Sequence, residues 1–277
     1  LGRKIDVHRV KFVIFPSIRV ELTEVKIHDP QSEQVVLTAK RIDLVLRLLP
    51  LLKKQVVGKR LLIEEPTLTL RRNERGRWNI SDELNGPVDV DQHTMDMMAR
   101  TLMIREATLV NGTITVIDAA RPDGIRSLKA EHVECRLLVR PDRGFAEIHV
   151  SAAHQGASGV SAVSLDGVMK RAEPSVSLSG EEVAESATGF QFEGQMDAAD
   201  LKIRDAADFL GPRPVSEHLQ GALNLKSTVR VMPGVSGYDM VLSDMTAHLN
   251  NITLRGKANL AGLLTPQPTF AVTFSSS

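Results

Sequence analysis

The 277-residue chain is poor in the groups on which enzymes and small secreted scaffolds depend. It holds one cysteine, so no internal disulfide can form and its stability must come from packing. Aromatic residues are 4% of the chain, with one tryptophan and one tyrosine, which leaves Val, Leu and Ile as the apolar surface and favours strands over an aromatic cleft. No apolar run approaches the ~18 residues of a membrane-spanning helix, and no signal peptide stands at the start. The opening LGRKIDVHRV and the closing PTFAVTFSSS read as ends of a piece cut from a longer protein.

Catalytic and metal-binding patterns are also missing. There is no HExxH or CxxC, and the eight histidines are dispersed, with His149 and His154 the closest pair. Gly156-Ala157-Ser158-Gly159 lacks the spacing of a nucleophile elbow, and no phosphate-cradling glycine loop is present. Cys135 alternates with Val133, Leu137 and Val139, the pattern of an inert thiol on an apolar strand face. The carboxylate pairs Glu181-Glu182 and Asp89/Asp91 fall in polar linkers, where solvated acids are the default. Basic residues between Lys53 and Arg77 have only Trp78 as an aromatic neighbour, too little for nucleic-acid stacking. The expectation is a protein with no enzymatic activity, no metal, no cofactor and no nucleic-acid partner.

What the chain does have is alternation of period two, in a composition 42% apolar. Ile18, Val20 and Leu22 share one parity; the apolar set then moves to Val25 and Ile27, which predicts a bulge near Glu24. Similar runs contain Leu44 and Leu46, Leu68 and Leu70, Ile114 and Val116, Val133 and Leu137, Ile148 and Val150, and Phe190 and Phe192. Leu223 to Val231 and Phe270 to Phe274 continue the pattern. One apolar and one polar face is what antiparallel sheets with a wet side require. Turn chemistry at Asn73–Gly76, Asn111-Gly112, Pro122–Gly124, Pro141–Gly144 and Pro233-Gly234 fits hairpin connections. Helical spacing is confined to Asp91–Met103 and Leu201–Leu210. The expected fold is mainly β, an antiparallel sheet with one or two short helices, forming one unit over 1–277 with a possible internal break near 85–91. Charge is uneven: residues 1–80 hold 17 Lys and Arg against 9 Asp and Glu, a basic end suited to anionic headgroups.

Four pieces of the first 80 residues occur in a recognisable order: Gly2-Arg3, then Glu24–Asp29, then Pro50-Leu51-Leu52, then Pro66–Leu70 followed by Gly76 and Trp78-Asn79. In this order they resemble the N-terminal region of the AsmA family, which is similar to TamB and to the bridge-like lipid transfer proteins. The resemblance implies an elongated, twisted β-groove with an apolar concave face. It implies a periplasmic body on the inner membrane of a Gram-negative bacterium, held by an anchor absent from this stretch. It also implies phospholipid or another acyl lipid as partner, carried between the membranes in support of outer-membrane lipid homeostasis, with a possible outer-membrane partner. A structural or assembly role without lipid carriage is the alternative. No catalytic residues come with the family. The residues expected to line the groove are Phe12, Ile14, Ile18, Val20, Leu22, Leu44, Leu46, Leu68, Leu70, Ile114, Val116, Val133 and Leu137, with Arg71–Arg77 as a polar hairpin at its rim.

Overall fold

A computed structural model describes residues 4–15, 17–29, 32, 34–47, 57–74, 76, 78–79, 104–120, 124–156, 159–171, 189–204, 221–234, 237–249, 252–263 and 269–276. They form one sheet of 14 strands. In chain order these are β1 (Ile5–Val13), β2 (Ile18–His28), β3 (Val35–Leu46), β4 (Gly58–Glu64), β5 (Thr67–Arg72), β6 (Glu106–Asp118) and β7 (Arg126–Arg140). They continue with β8 (Phe145–Gly156), β9 (Gly159–Arg171), β10 (Phe190–Lys202), β11 (Ala222–Gly234), β12 (Gly237–Leu249), β13 (Ile252–Leu263) and β14 (Thr269–Ser276). Strand order follows the chain as a meander, except that β4 and β5 both lie between β3 and β6.

That exception corrects the antiparallel expectation, because the sheet is mixed. β4 and β5 form one chain line broken at Glu65-Pro66, and both run parallel to β6, with Leu62 opposite Thr108 and Leu68 opposite Ile114. A parallel neighbour needs a crossover of a dozen or more residues rather than a tight turn. The chain from Asn73 to Arg105 supplies that length. The expected break near 85–91 falls within it and lies outside the described residues, as does the expected helix over Asp91–Met103. Of the second expected helix, Leu201 and Lys202 belong instead to β10, residues 203–204 are helical, and 205–210 lie outside the described residues. Leu201 pairs with Leu223 of β11, so the ladder takes up a segment whose spacing alone reads as helical.

Turn residues act where their backbone freedom is needed. The Asn73–Gly76 turn closes with Gly76 N donating to Asn73 O at 2.9 Å, and Gly76 takes φ 77°. Arg140–Gly144 connects β7 to β8 in the same way, with Gly144 at φ 71°. Asn111-Gly112, expected as a hairpin, is instead in the middle of β6, and Asn111 has φ 53°.

Asn111 belongs to a wider feature. Six non-glycine residues hold left-handed backbone: Glu24, Glu65, Asn111, His132, Asp200 and Asp244. Register places them along one line across the sheet, part-way along the strands. At each left-handed residue inside a strand the apolar positions step by three instead of two, as in Leu22 to Val25, Leu109 to Gly112, Ala130 to Val133, Ala198 to Leu201 and Leu242 to Met245. The extra residue keeps apolar side chains on the same face while bending the strand. The bulge expected near Glu24 is thus part of a crease running through the sheet.

Polar side chains knit the crease. Asn111 N donates to Glu134 Oε1 at 2.9 Å, and Asn111 Oδ1 lies 3.1 Å from His132 Nδ1. Buried Ser161 donates to Asp200 O at 3.1 Å and accepts from Lys202 N at 3.2 Å. Buried Ser227 donates to Ser243 O at 2.9 Å, and Asn224 Oδ1 accepts from Asp200 N at 2.9 Å. Each left-handed non-glycine residue costs about 1–2 kcal/mol, so the crease persists because its interrupted ladder groups find these partners. Next to it lie the most buried apolar residues, among them Val25, Ala39, Val133, Ala198 and Ala247.

Candidate functional site

Residues opposite each other in adjacent strands share a face, so the register pairs can be followed from edge to edge. One such row begins at Phe12 and passes through Val20, Leu44 and Leu61 to Ala107, Leu137 and Ile148. It continues through Gly167, Gly194, Val229 and Leu242 to Ala258 and Val272. The row crosses every strand of the main path without meeting a polar side chain. A neighbouring row runs Val10, Leu22, Ile42, Ile63, Leu109, Cys135, Val150, Leu165 and Met196. A third joins Val139, Ala146, Met169, Phe192, Val231, Met240 and Leu260.

The other face reads differently. The row beside the first runs Lys11, Glu21, Asp43, Leu62, Thr108, Arg136, His149, Asp166, Gln195, Thr228 and Ser243. Cross-strand ion pairs hold this side: Arg136 with Glu106 at 3.2 Å, Lys226 with Asp197 at 2.8 Å, Arg230 with Glu193 at 3.0 Å, and His149 with Asp166. His149 is therefore engaged by a carboxylate, and His154 Nδ1 lies 2.7 Å from Lys129 O. Their spacing in the sequence does not produce a shared centre. Among the described residues, no group of three His, Cys, Asp or Glu side chains is placed to hold a metal ion.

Most residues of the apolar rows are half-buried, neither sealed nor bare. Exposure is greatest at the two edges, where Phe12 is 68% and Phe274 48% accessible. Val25, Ala39, Val133 and Ala146 are buried on this face, and toward the last strands Ala198, Leu225, Met245, Ala247 and Ala258 pack as a buried cluster against Met196, Leu242 and Leu260. A shallow depression of about 580 Å³ lies beside it, lined by Met245, Gly256 and Phe274 with Arg255 and Lys257.

The two glycines of the first row have a steric reason. Gly167 and Gly194 face each other, and Phe192 lies across them. A Cβ at Gly167 would stand 2.5 Å from Phe192 Cζ and 2.4 Å from Glu193 O, and one at Gly194 would stand 2.2 Å from Asp166 O. The ring supplies the apolar cover that the glycines lack. Burial pushes the Cys135 thiol above its usual range, consistent with its place between Leu109 and Val150.

The expected lining residues fall into several groups. Phe12, Val20, Leu44 and Leu137 are in the first row, and Leu22 is in the second. Ile18 pairs with Leu46, which lies opposite Gly58 at the strand ends. Leu68 with Ile114, and Leu70 with Val116, lie beyond the crease, where Val133 is buried at 3% accessibility. Ile14 is in none of the rows; it sits past the end of β1, 72% exposed. Sequence reading passed over Leu61, Ala107, Gly167, Gly194, Leu242 and Ala258, because alanine and glycine carry little apolar signal and the β12 pattern changes parity at Asp244.

The opening of the expected rim hairpin is also resolved. Trp78 bridges Arg72, and Asn79 folds back on β5, with Nδ2 donating to Thr69 O at 2.8 Å and Oδ1 accepting from Arg71 N at 3.0 Å. These bonds satisfy the β5 edge where β3 has already ended. Nearby, Arg72 lies 3.5 Å from the buried carboxylate of Asp118, which is opposite buried Arg126.

No curated protein matches the chain. The Glu24–Asp29 and Pro66–Asn79 pieces of the AsmA pattern lie in β2 and around β5, whereas Gly2-Arg3 and Pro50–Leu52 lie outside the described residues. Residues 2–134 match the AsmA family model, so this N-terminal segment is similar to the AsmA family, and the match points to a role in outer-membrane and lipid-related processes.

Proposed function

We propose that the chain binds acyl lipid along the apolar face of its sheet and conducts phospholipid between the inner and outer membranes, without bond chemistry of its own. It acts at the periplasmic face of the inner membrane. The observation that carries this reading is the row from Phe12 to Val272, thirteen apolar or glycine positions in thirteen adjacent strands. Twelve inter-strand steps of about 4.8 Å give a path of about 58 Å.

Each methylene withdrawn from water is worth about 0.8 kcal/mol, so an acyl chain of about sixteen carbons gains on the order of 12 kcal/mol from such cover. A similar gain is available along the part of the row that is not buried, from Phe12 to Gly194, so the chain can shift along it without crossing a polar barrier. A single lipid pocket would hold one molecule; an uninterrupted face lets it move. Headgroups remain in water along the open side.

The test is purification without detergent, followed by solvent extraction and mass spectrometry. Co-purified phospholipid, and uptake of a fluorescent fatty acid by the stripped protein, are expected. Absence of both refutes lipid carriage and leaves an assembly factor whose apolar face a partner protein covers.

A further inference from the structure

The β1–β2 connection carries the most exposed large apolar side chains among the described residues. Phe15 is 85% accessible, Ile14 72% and Phe12 68%. Nothing in their local pairing requires them there: β1 ends at Val13 opposite Arg19, so Ile14 and Phe15 project past the last rung of the ladder. A tight polar turn would close the same hairpin without exposing apolar surface.

Cations lie along the same end of the sheet as this tip. Lys11 lies one residue inside β1. Arg47 directly follows β3, its N–H donating to Val57 O at 2.9 Å. Register puts Leu46 opposite both Ile18 and Gly58, and Val45 opposite Arg60, so Arg47, Lys59 and Arg60 occupy the same end of the sheet as the tip. Arg105 joins them, because Arg60 lies opposite Glu106. Of the nearby acids, Asp43 pairs with Arg19 at 3.2 Å and Glu106 with Arg136 at 3.2 Å, while Glu21 lies opposite Lys11. Among the described residues no ion pair ties down Lys11, Arg47, Lys59, Arg60 or Arg105.

We infer that this corner, Ile14 and Phe15 at the tip with Lys11, Arg47, Lys59, Arg60 and Arg105 around it, docks on an anionic phospholipid bilayer. The order of its chemistry matches the depth profile of such a membrane: apolar side chains lead, and cations follow at the level of the headgroup phosphates. A second copy of the chain is a poor occupant, because a two-fold contact would bring the same cations face to face. Phe12, the first residue of the apolar row, lies in β1 just before the tip. Docking therefore sets the start of the row against the hydrocarbon boundary, and to that extent the inference builds on the lipid-conducting reading.

The experiment is co-flotation of the 277-residue chain with extruded vesicles of phosphatidylcholine, with and without phosphatidylglycerol. Binding is expected only with the anionic lipid and should fall as salt is raised, since exposed charges are screened. Each cation near the surface is worth about five-fold in partitioning, so the Lys59→Glu/Arg60→Glu variant should bind at least ~25-fold more weakly. The Ile14→Ser/Phe15→Ser variant should lose at least ~10-fold while keeping the parent melting curve and circular dichroism. Equal binding to neutral vesicles, or unchanged binding by the tip variant, overturns the inference. So does a parent that self-associates through the tip in the absence of vesicles.

Fatty-acid uptake in vesicle-free solution separates this inference from the lipid-conducting reading. The tip variant should take up the probe as the parent does. A row variant, Leu44→Asp, should lose uptake and still float with anionic vesicles.

Discussion

Leu44→Asp is the most informative single substitution on the apolar face. Leu44 lies in the first row between Val20 and Leu61 and is half-buried. Fully burying a leucine side chain is worth about 1.5–3 kcal/mol, so half-burial contributes on the order of 1 kcal/mol. On an open face the new carboxylate stays hydrated, and the variant should lose about that amount. For a chain of this size that corresponds to a few degrees in Tm, at about 2–4 °C per kcal/mol. Inside a sealed core an unpartnered carboxylate costs several kcal/mol, enough to unfold a marginal domain. The same row contains a control: Ala258 is 4% accessible and packed within the cluster of β10–β13, so Ala258→Asp should show the large loss. Ligand capture should respond in the opposite sense. A carboxylate against an acyl chain gives up its hydration without a partner, and a cost of about 3 kcal/mol lowers affinity roughly 100-fold. Melting followed by circular dichroism, together with displacement of a fluorescent fatty acid, reads both quantities. If Leu44→Asp melts as low as Ala258→Asp, the face is closed at β3. If it folds and binds the probe as the parent does, the row is not the path.

Other expectations concern the crease, the rim and the half-buried thiol. Asp244 holds φ 52°, so Asp244→Val should lower stability by about 1–2 kcal/mol, and Asp244→Gly should be near neutral or mildly stabilising, as read from urea midpoints. Gly194→Val should destabilise strongly, because its Cβ would enter the space of Asp166 O and the Phe192 ring; unchanged melting would refute the close contact. Asn79→Ala removes the bonds to Thr69 O and Arg71 N and should cost about 1–2 kcal/mol, with faster tryptic cleavage after Arg71. Cys135 should alkylate slowly at pH 8 and quickly once urea exposes it. Its folded-state pKa is raised by burial, so the folded state favours the protonated thiol. The associated stability is present below the ordinary thiol pKa and falls as pH rises toward the folded value, and urea midpoints across that range report it.

Particular residues show how far the sequence was legible. Alternation at Ile18–Leu22, Val133–Val139 and Leu223–Val231 lies in β2, β7 and β11, since period two is a local consequence of the pleat. The parity change after Leu22 located the left-handed Glu24. The same change at Leu242–Met245 went unread, because Ser243, Asp244, Thr246 and His248 dilute the apolar signal of β12. Asn111-Gly112 has the composition of a hairpin turn and is a crease within β6. Both uses require the same left-handed backbone at Asn111, and only the neighbouring strands distinguish them. Leu201 follows the same logic: its spacing suits a helix, but β11 offers a ladder partner at Leu223.

From the sequence alone came the strand-rich class, the absence of recognisable catalytic spacing, the family resemblance, and the division of most strands into an apolar and a polar side. All of these depend on residues near one another in the chain. The tertiary structure decided what depends on register between distant strands: that β4 and β5 run parallel to β6, that six left-handed residues align in one crease, and that Gly167 and Gly194 meet beneath Phe192. It also decided that apolar or glycine positions from thirteen strands form one unbroken row. A one-residue slip in any pairing would turn that strand's side chains to the other face, and burial of the apolar face together with the connecting turns is what sets the pairing.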